Sequence, residues 1–228
     1  MLSRLRFAVA LFAALFLTIA VRPAAAQGTP HVYLMRGLAN VFSYGLDDLA
    51  AKLNARGIPA TVYEYGQWQS LADMASAESR AKGRFPIVVV GHSLGADAAI
   101  QMAERLTALG TPPTLVVTFD PVGVNTVGAA SGRFVNYYQS NNGYGKRLTA
   151  GPGFRGKLIN RNLDQVAAID HFNIEKSPQL HSEVVSQVRA LGVRRKPKPR
   201  PVAKPSQPAA PTPAPGSQAA TTSDKKAM

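Results

Sequence analysis

Between residues 31 and 191 the apolar positions cluster in short runs separated by longer stretches in which they recur every three or four residues. The short runs are His31–Met35, Ala60–Tyr65, Ile87–Val90, Leu115–Phe119, Phe134–Tyr138 and Lys157–Asn160. Most are rich in β-branched and aromatic residues and predict strands. The periodic stretches predict helices. One covers Phe42–Arg56, with Leu46, Leu49, Ala50 and Leu53 on one face and Gly57 past its end, and a weaker one covers 69–82. A third carries Ala96, Ala99, Ile100, Ala103, Leu106 and Leu109 up to Gly110, and the last opens at Ser177-Pro178 and carries Leu180, Val184, Val185, Val188 and Leu191. Ile87–Val90 shows no alternation, as a strand covered on both faces requires. Strands alternating with helices of this length predict parallel pairing, hence an α/β three-layer sandwich around a mostly parallel sheet. The Gly- and Asn-rich stretch Ser140–Gly156 is short for a helical crossover, so the last two strands are expected to pair as a hairpin, with this loop over the rim of any site.

The two ends depart from this pattern. Residues 1–26 open with Arg4 and Arg6, run apolar from Phe7 to Val21 and finish Ala24-Ala25-Ala26, which predicts a secretory signal peptide cut after Ala26. An uncleaved anchor is the alternative reading of the same apolar run. From 194 to 228 the chain is rich in Pro, Lys, Ala, Ser and Thr, holds eight of the 17 prolines, and predicts a disordered tail. The formal charge of +13 is concentrated there: the 27–193 body carries 15 basic and 12 acidic residues. The basicity therefore speaks for the tail and not for the fold. Arg194-Arg195-Lys196-Pro197-Lys198-Pro199-Arg200 suits an anionic envelope surface, and a solvated spacer is the alternative; no specific nucleic-acid partner is expected. The chain has no cysteine, so neither a lipid anchor on a thiol nor a disulfide framework is available.

Candidate chemistry enters where the fourfold β-branched run ends, at Gly91-His92-Ser93-Leu94-Gly95. A Gly-x-Ser-x-Gly turn between a buried strand and a helix lifts its serine above the sheet edge, which makes Ser93 the candidate nucleophile. A serine hydroxyl needs a base, and the base needs a carboxylate to orient it. Of the four histidines, His171 lies in a loop after the last strand, where this topology places its base. His92 is expected to be structural, His31 lies too early, and His181 belongs to the surface or packing of the last helix. Asp120, directly after Leu115–Phe119, is the expected acid, because catalytic groups gather at the C-terminal edge of parallel strands. Asp164 is the competing acid, while Asp97 and Asp170 are less well placed. For the oxyanion, the expected donors are the N–H of Leu94 and that of Leu38, in the Arg36-Gly37-Leu38-Ala39-Asn40 loop; a simple turn at Gly37 is the alternative.

Gly91-His92-Ser93-Leu94-Gly95, Phe119-Asp120-Pro121 and Asp170-His171-Phe172, in that order, resemble the α/β-hydrolase superfamily in its lipase, esterase and thioesterase branches, over residues 31 to about 191. Arg36–Gly57 and Asn136–Asn142 are similar to small secreted hydrolases of Gram-negative bacteria. The resemblance implies a compact α/β-hydrolase fold without a large cap. It also implies a secreted or periplasmic serine hydrolase that cleaves a small-molecule or lipid ester and needs no cofactor and no metal. Arg36-Gly37 stands where the superfamily commonly has His-Gly, which leaves the second oxyanion donor open. A thioesterase, an acyltransferase and a non-catalytic envelope-binding module are the rival readings.

Overall fold

The computed structural model describes residues 28–38 and 43–192. The expected signal peptide (1–26), the tail (194–228) and the Ala39-Asn40 part of the oxyanion loop lie outside the described residues. The elements are β1 (His31–Arg36), α1 (Gly45–Asn54), β2 (Ala60–Glu64), α2 (Trp68–Ala81), β3 (Ile87–His92) and α3 (Leu94–Ala108). They are followed by β4 (Leu115–Phe119), β5 (Thr126–Val127), β6 (Arg133–Tyr138), β7 (Thr149–Ala150), β8 (Lys157–Asn162) and α4 (Pro178–Gly192).

Six strands form one sheet in the order β2-β1-β3-β4-β6-β8, and every neighbouring pair is parallel. Because successive side chains of a strand point to opposite faces, the apolar runs feed two cores at once. Val88 and Val90 of β3 join Val32, Leu34 and Val117 beneath Leu46, Leu49 and Leu53 of α1 and Val184 and Val188 of α4. Ile87 and Val89 join Tyr33, Met35, Val116 and Phe134 beneath Leu71 and Ala75 of α2 and Ile100, Ala103 and Leu106 of α3. The result is the expected three-layer sandwich. Each of the four helices is spent on covering the sheet, so none of the described helices forms a cap over its edge.

The expected hairpin is not formed. β6 and β8 are parallel, in the register Val135↔Ile159 and Tyr137↔Arg161. A crossover needs something apolar to lay on the sheet, not a helix as such, and the chain between these strands supplies Leu148, 1% exposed, and Phe154, whose ring stands edge-on to Phe134. Asn160 secures the segment by accepting from the Leu148 amide (3.0 Å) and donating to the Leu148 carbonyl (2.9 Å). The short strand β7, paired in parallel with β5, completes it. The remaining elements match the periodicity to within a few residues; α1 begins at Gly45.

Candidate active site

The site is assembled at the C-terminal ends of β1, β3 and β4. At the end of β3 the backbone reverses at Ser93, which takes φ 58° and ψ −125°, a conformation costly for any residue with a side chain. The flanking glycines are needed for close approach. A Cβ on Gly91 would lie 2.0 Å from the Gly95 carbonyl oxygen, and one on Gly95 would lie 2.0 Å from that of Met35. The turn can therefore press α3 onto β1 and β3 only if both positions lack a side chain. Gly37, after β1, is nearly as confined: a Cβ there would stand 3.0 Å from that of Ser93.

β4 delivers Asp120, fully buried and itself at positive φ (47°). Its Oδ1 accepts the Gln139 amide (2.8 Å), and its Oδ2 accepts from Asn142 Nδ2 (2.6 Å) and faces His171 Nδ1 at 3.2 Å. A carboxylate cannot donate, so Nδ1 carries the proton and Nε2 is left as an acceptor, 3.2 Å from Ser93 Oγ. Ser93, His171 and Asp120 thus stand in one hydrogen-bonded line. His171 Nδ1 faces Asp120 and not Asp164, whose carboxylate is engaged by Ser140 and Asn162 and is held below its usual range by them. Asp97 turns to the loop after Asp120. It accepts the amides of Val122, Gly123 and Val124 at 2.9–3.2 Å, which restrain the upward shift that burial gives its carboxyl. Asp170 accepts the Phe172 amide within its own turn.

The other histidines have packing roles. His31 stacks on Phe85. His181 is buried, not on the surface: its Nε2 donates to the Glu175 carbonyl (2.6 Å) and its Nδ1 accepts from Lys52 (2.8 Å). His92, 1% exposed, lies between Ser43 Oγ (2.9 Å) and the His171 carbonyl (2.8 Å), and burial pushes its ring down to about 4, so it is neutral.

A six-stranded parallel sheet carries a serine at a strained strand-to-helix turn, an acid at the end of the next strand and a histidine in a loop after the last. This is the α/β-hydrolase fold. As in such folds generally, the groups converge on a cavity at the carboxyl edge of the sheet. Here the cavity measures about 370 Å³ and is lined by Gly37, Leu38, Ser43, His92, Ser93, Leu94, Val122, Tyr144, His171 and Phe172. Its walls are largely apolar, and Leu38, Tyr144 and Phe172 at its mouth are exposed. Both expected oxyanion residues line it: Leu94 opens α3, and Leu38 follows Gly37. The Gly37 amide donates to Ser43 Oγ (3.1 Å), so of these two successive amides it is the next, that of Leu38, that the oxyanion reading retains.

Sequence reasoning missed four members of this site. Tyr144, in the loop expected at the rim, lies flat on the His171 imidazole, centroids 4.3 Å apart and planes 16° from parallel. Asn142 donates to Asp120 and accepts the Tyr144 and Gly145 amides (2.9 and 3.0 Å), so one side chain places both the acid and the aromatic cover. Ser43 and Glu175 are the other two. The density of Asn and Gly in 140–156 was a signal for Asx turns, but nothing local marked Ser43 or Glu175. Among the described residues no group of three or more His, Cys, Asp or Glu is arranged to hold a metal ion.

No family model matches the chain, and no curated protein sequence does. Solved structures do. The type II thioesterase BorB from the borrelidin biosynthetic cluster aligns at 12% identity over 71% of this chain and 93% of its own, with a TM-score of 0.46. The lin2722 gene product of Listeria innocua aligns at 12% identity over 68% of this chain and 92% of its own, with a TM-score of 0.47. YbtT, the type II thioesterase of the yersiniabactin pathway, aligns at 11% identity over 75% and 97%, with a TM-score of 0.45.

Proposed function

We propose that this protein is a serine hydrolase that cleaves a carboxylic ester through an acyl-enzyme. The observation that carries the reading is the Ser93–His171–Asp120 line, with Ser93 and His171 lining an apolar cavity and Asp120 buried behind them. As the Ser93 oxygen attacks the ester carbonyl carbon, its proton passes to His171 Nε2, and the resulting imidazolium is stabilised by the Asp120 carboxylate. The carbonyl oxygen, now negative, is received by the amides of Leu94 and Leu38. Collapse expels the alcohol, which takes the proton from His171; water then repeats the sequence and releases the acid. The apolar walls favour an uncharged acyl group, from a small-molecule or lipid ester. The same groups can attack a thioester, which a parallel assay separates. Export by the N-terminal segment and attachment of the basic tail to anionic envelope material complete the reading.

The test is labelling by a fluorophosphonate together with hydrolysis of p-nitrophenyl esters and acyl thioesters of graded chain length. Labelling and ester turnover, both abolished by Ser93→Ala, are expected. A protein that neither labels nor turns over any ester defeats the reading, and labelling that survives Ser93→Ala defeats the choice of nucleophile.

A further inference from the structure

The buried hydrogen bonds behind Ser93 form a chain with only one possible direction. The His171 carbonyl can only accept, so the nitrogen 2.8 Å from it, His92 Nε2, carries the proton. The ring is neutral, so its Nδ1 is bare and accepts the hydroxyl proton of Ser43 at 2.9 Å. The Ser43 oxygen in turn accepts the Gly37 amide at 3.1 Å. One imidazole thus joins three separate pieces of backbone: the turn after β1, the Ser93 elbow in which it stands, and the loop that carries His171.

We propose that His92, acting with Ser43, is a positioning residue: it holds the Gly37–Leu38 turn and the His171 loop in register with Ser93. The inference rests on the serine-hydrolase reading above. The His171 carbonyl belongs to the same residue as the base, so a bond to it limits how far the imidazole can drift from Ser93 Oγ. The Gly37 amide lies one peptide before the Leu38 amide, so fixing one peptide plane restricts the other. Gly37 packs directly against Ser93, and a shift of this turn is felt at the nucleophile. All three links run between groups of the protein itself and none includes Ser93 Oγ or the His171 ring, which separates the role from that of a catalytic residue. The Glu175 carboxyl faces the same ring, with Oε2 3.9 Å from Nε2 and neither oxygen hydrogen-bonded, so it encloses the imidazole without competing for its proton.

The two ends of the imidazole can be cut separately. His92→Gln keeps a donor at the Nε2 position and loses the acceptor for Ser43; His92→Asn keeps that acceptor and loses the donor to His171. Ser43→Ala releases Gly37 with the smallest change in volume. Each full-length variant is titrated to end point with a fluorophosphonate, so that kcat is expressed per competent serine. Each is expected to lose kcat by roughly ten- to a hundredfold, the scale of a small misplacement of reacting groups, with KM within about twofold of the parent. The Ser43→Ala/His92→Gln double variant is expected to fall no further than the worse single, because both cut one link. A kcat per titrated serine within about twofold of the parent in Ser43→Ala, or losses that multiply in the double variant, overturns the proposal. A parent that neither labels nor turns over an ester defeats the hydrolase reading; an active parent with indifferent variants defeats only this inference.

Discussion

Glu175 is fully buried with neither carboxylate oxygen hydrogen-bonded, and burial pushes its carboxyl up to about 7 from an ordinary 4.5. In the folded state it holds its proton where the unfolded chain has released it. Its contribution to stability is therefore complete below pH 4.5 and lost as pH rises through 7. Glu175→Gln is expected to gain stability relative to the parent as pH is raised across that window, read as the difference in urea midpoints; parallel curves would show that the carboxyl does not titrate there. His92 has the opposite sign, because burial lowers its ring to about 4 from 6.5: its contribution is full above 6.5 and lost as pH falls through 4. Tyr144 yields a second prediction. Its ring covers the imidazole that the proposed mechanism makes cationic, so on that reading Tyr144→Leu is expected to lower kcat by roughly three- to tenfold and Tyr144→Phe to retain it, the scale of a cation–π contact. Equal losses in both would assign the effect to the hydroxyl. At this scale Ser93, His171 and the expected acid Asp120 were legible from where each falls in the order of strands, helices and loops, with Asp164 left as a competitor. Ser43, Asn142 and Tyr144 were not, because each reaches the site only by a contact made in space.

Among the elements, the elbow is the most tightly specified. Gly95→Ala would place a methyl 2.0 Å from the Met35 carbonyl, and neither α3 nor β1 can retreat without opening a core. The expected cost is about 3 kcal/mol or more, measured by chemical denaturation. Gly66→Ala, with nothing within 4 Å, is expected to fall within about 0.5 kcal/mol of the parent and serves as the control. Comparable effects would mean that the close approach is not what requires glycine. The crossover between β6 and β8 teaches the converse. It is short for a helical crossover, which suggested a hairpin, yet Leu148 and Phe154 are sufficient to bind an irregular chain to the sheet. Loops of this kind hide from pattern reading because two anchors carry no period.

For the molecule as a whole, charge and chemistry are separated along the chain. The 27–193 body is close to balanced, with 15 basic and 12 acidic residues, while the terminal 35 residues hold eight basic residues and one acidic. Removing 194–228 is therefore expected to leave turnover of a small soluble ester within about twofold while reducing co-sedimentation with anionic vesicles, an attraction screened by salt. Equal loss of both would make the tail part of the catalytic body. The sequence by itself determined the layers, the parallel pairing of the earlier strands and the point on the chain where the serine turns, because runs, periods and obligatory glycines are local consequences of covalent geometry and burial. Only the tertiary structure decided which carboxylate faces His171, how the last strands connect, and that one buried imidazole links the Gly37 turn to the His171 loop. Those are relations between residues far apart in the chain, 79 positions for His92 and His171 alone, set by packing that no local pattern encodes.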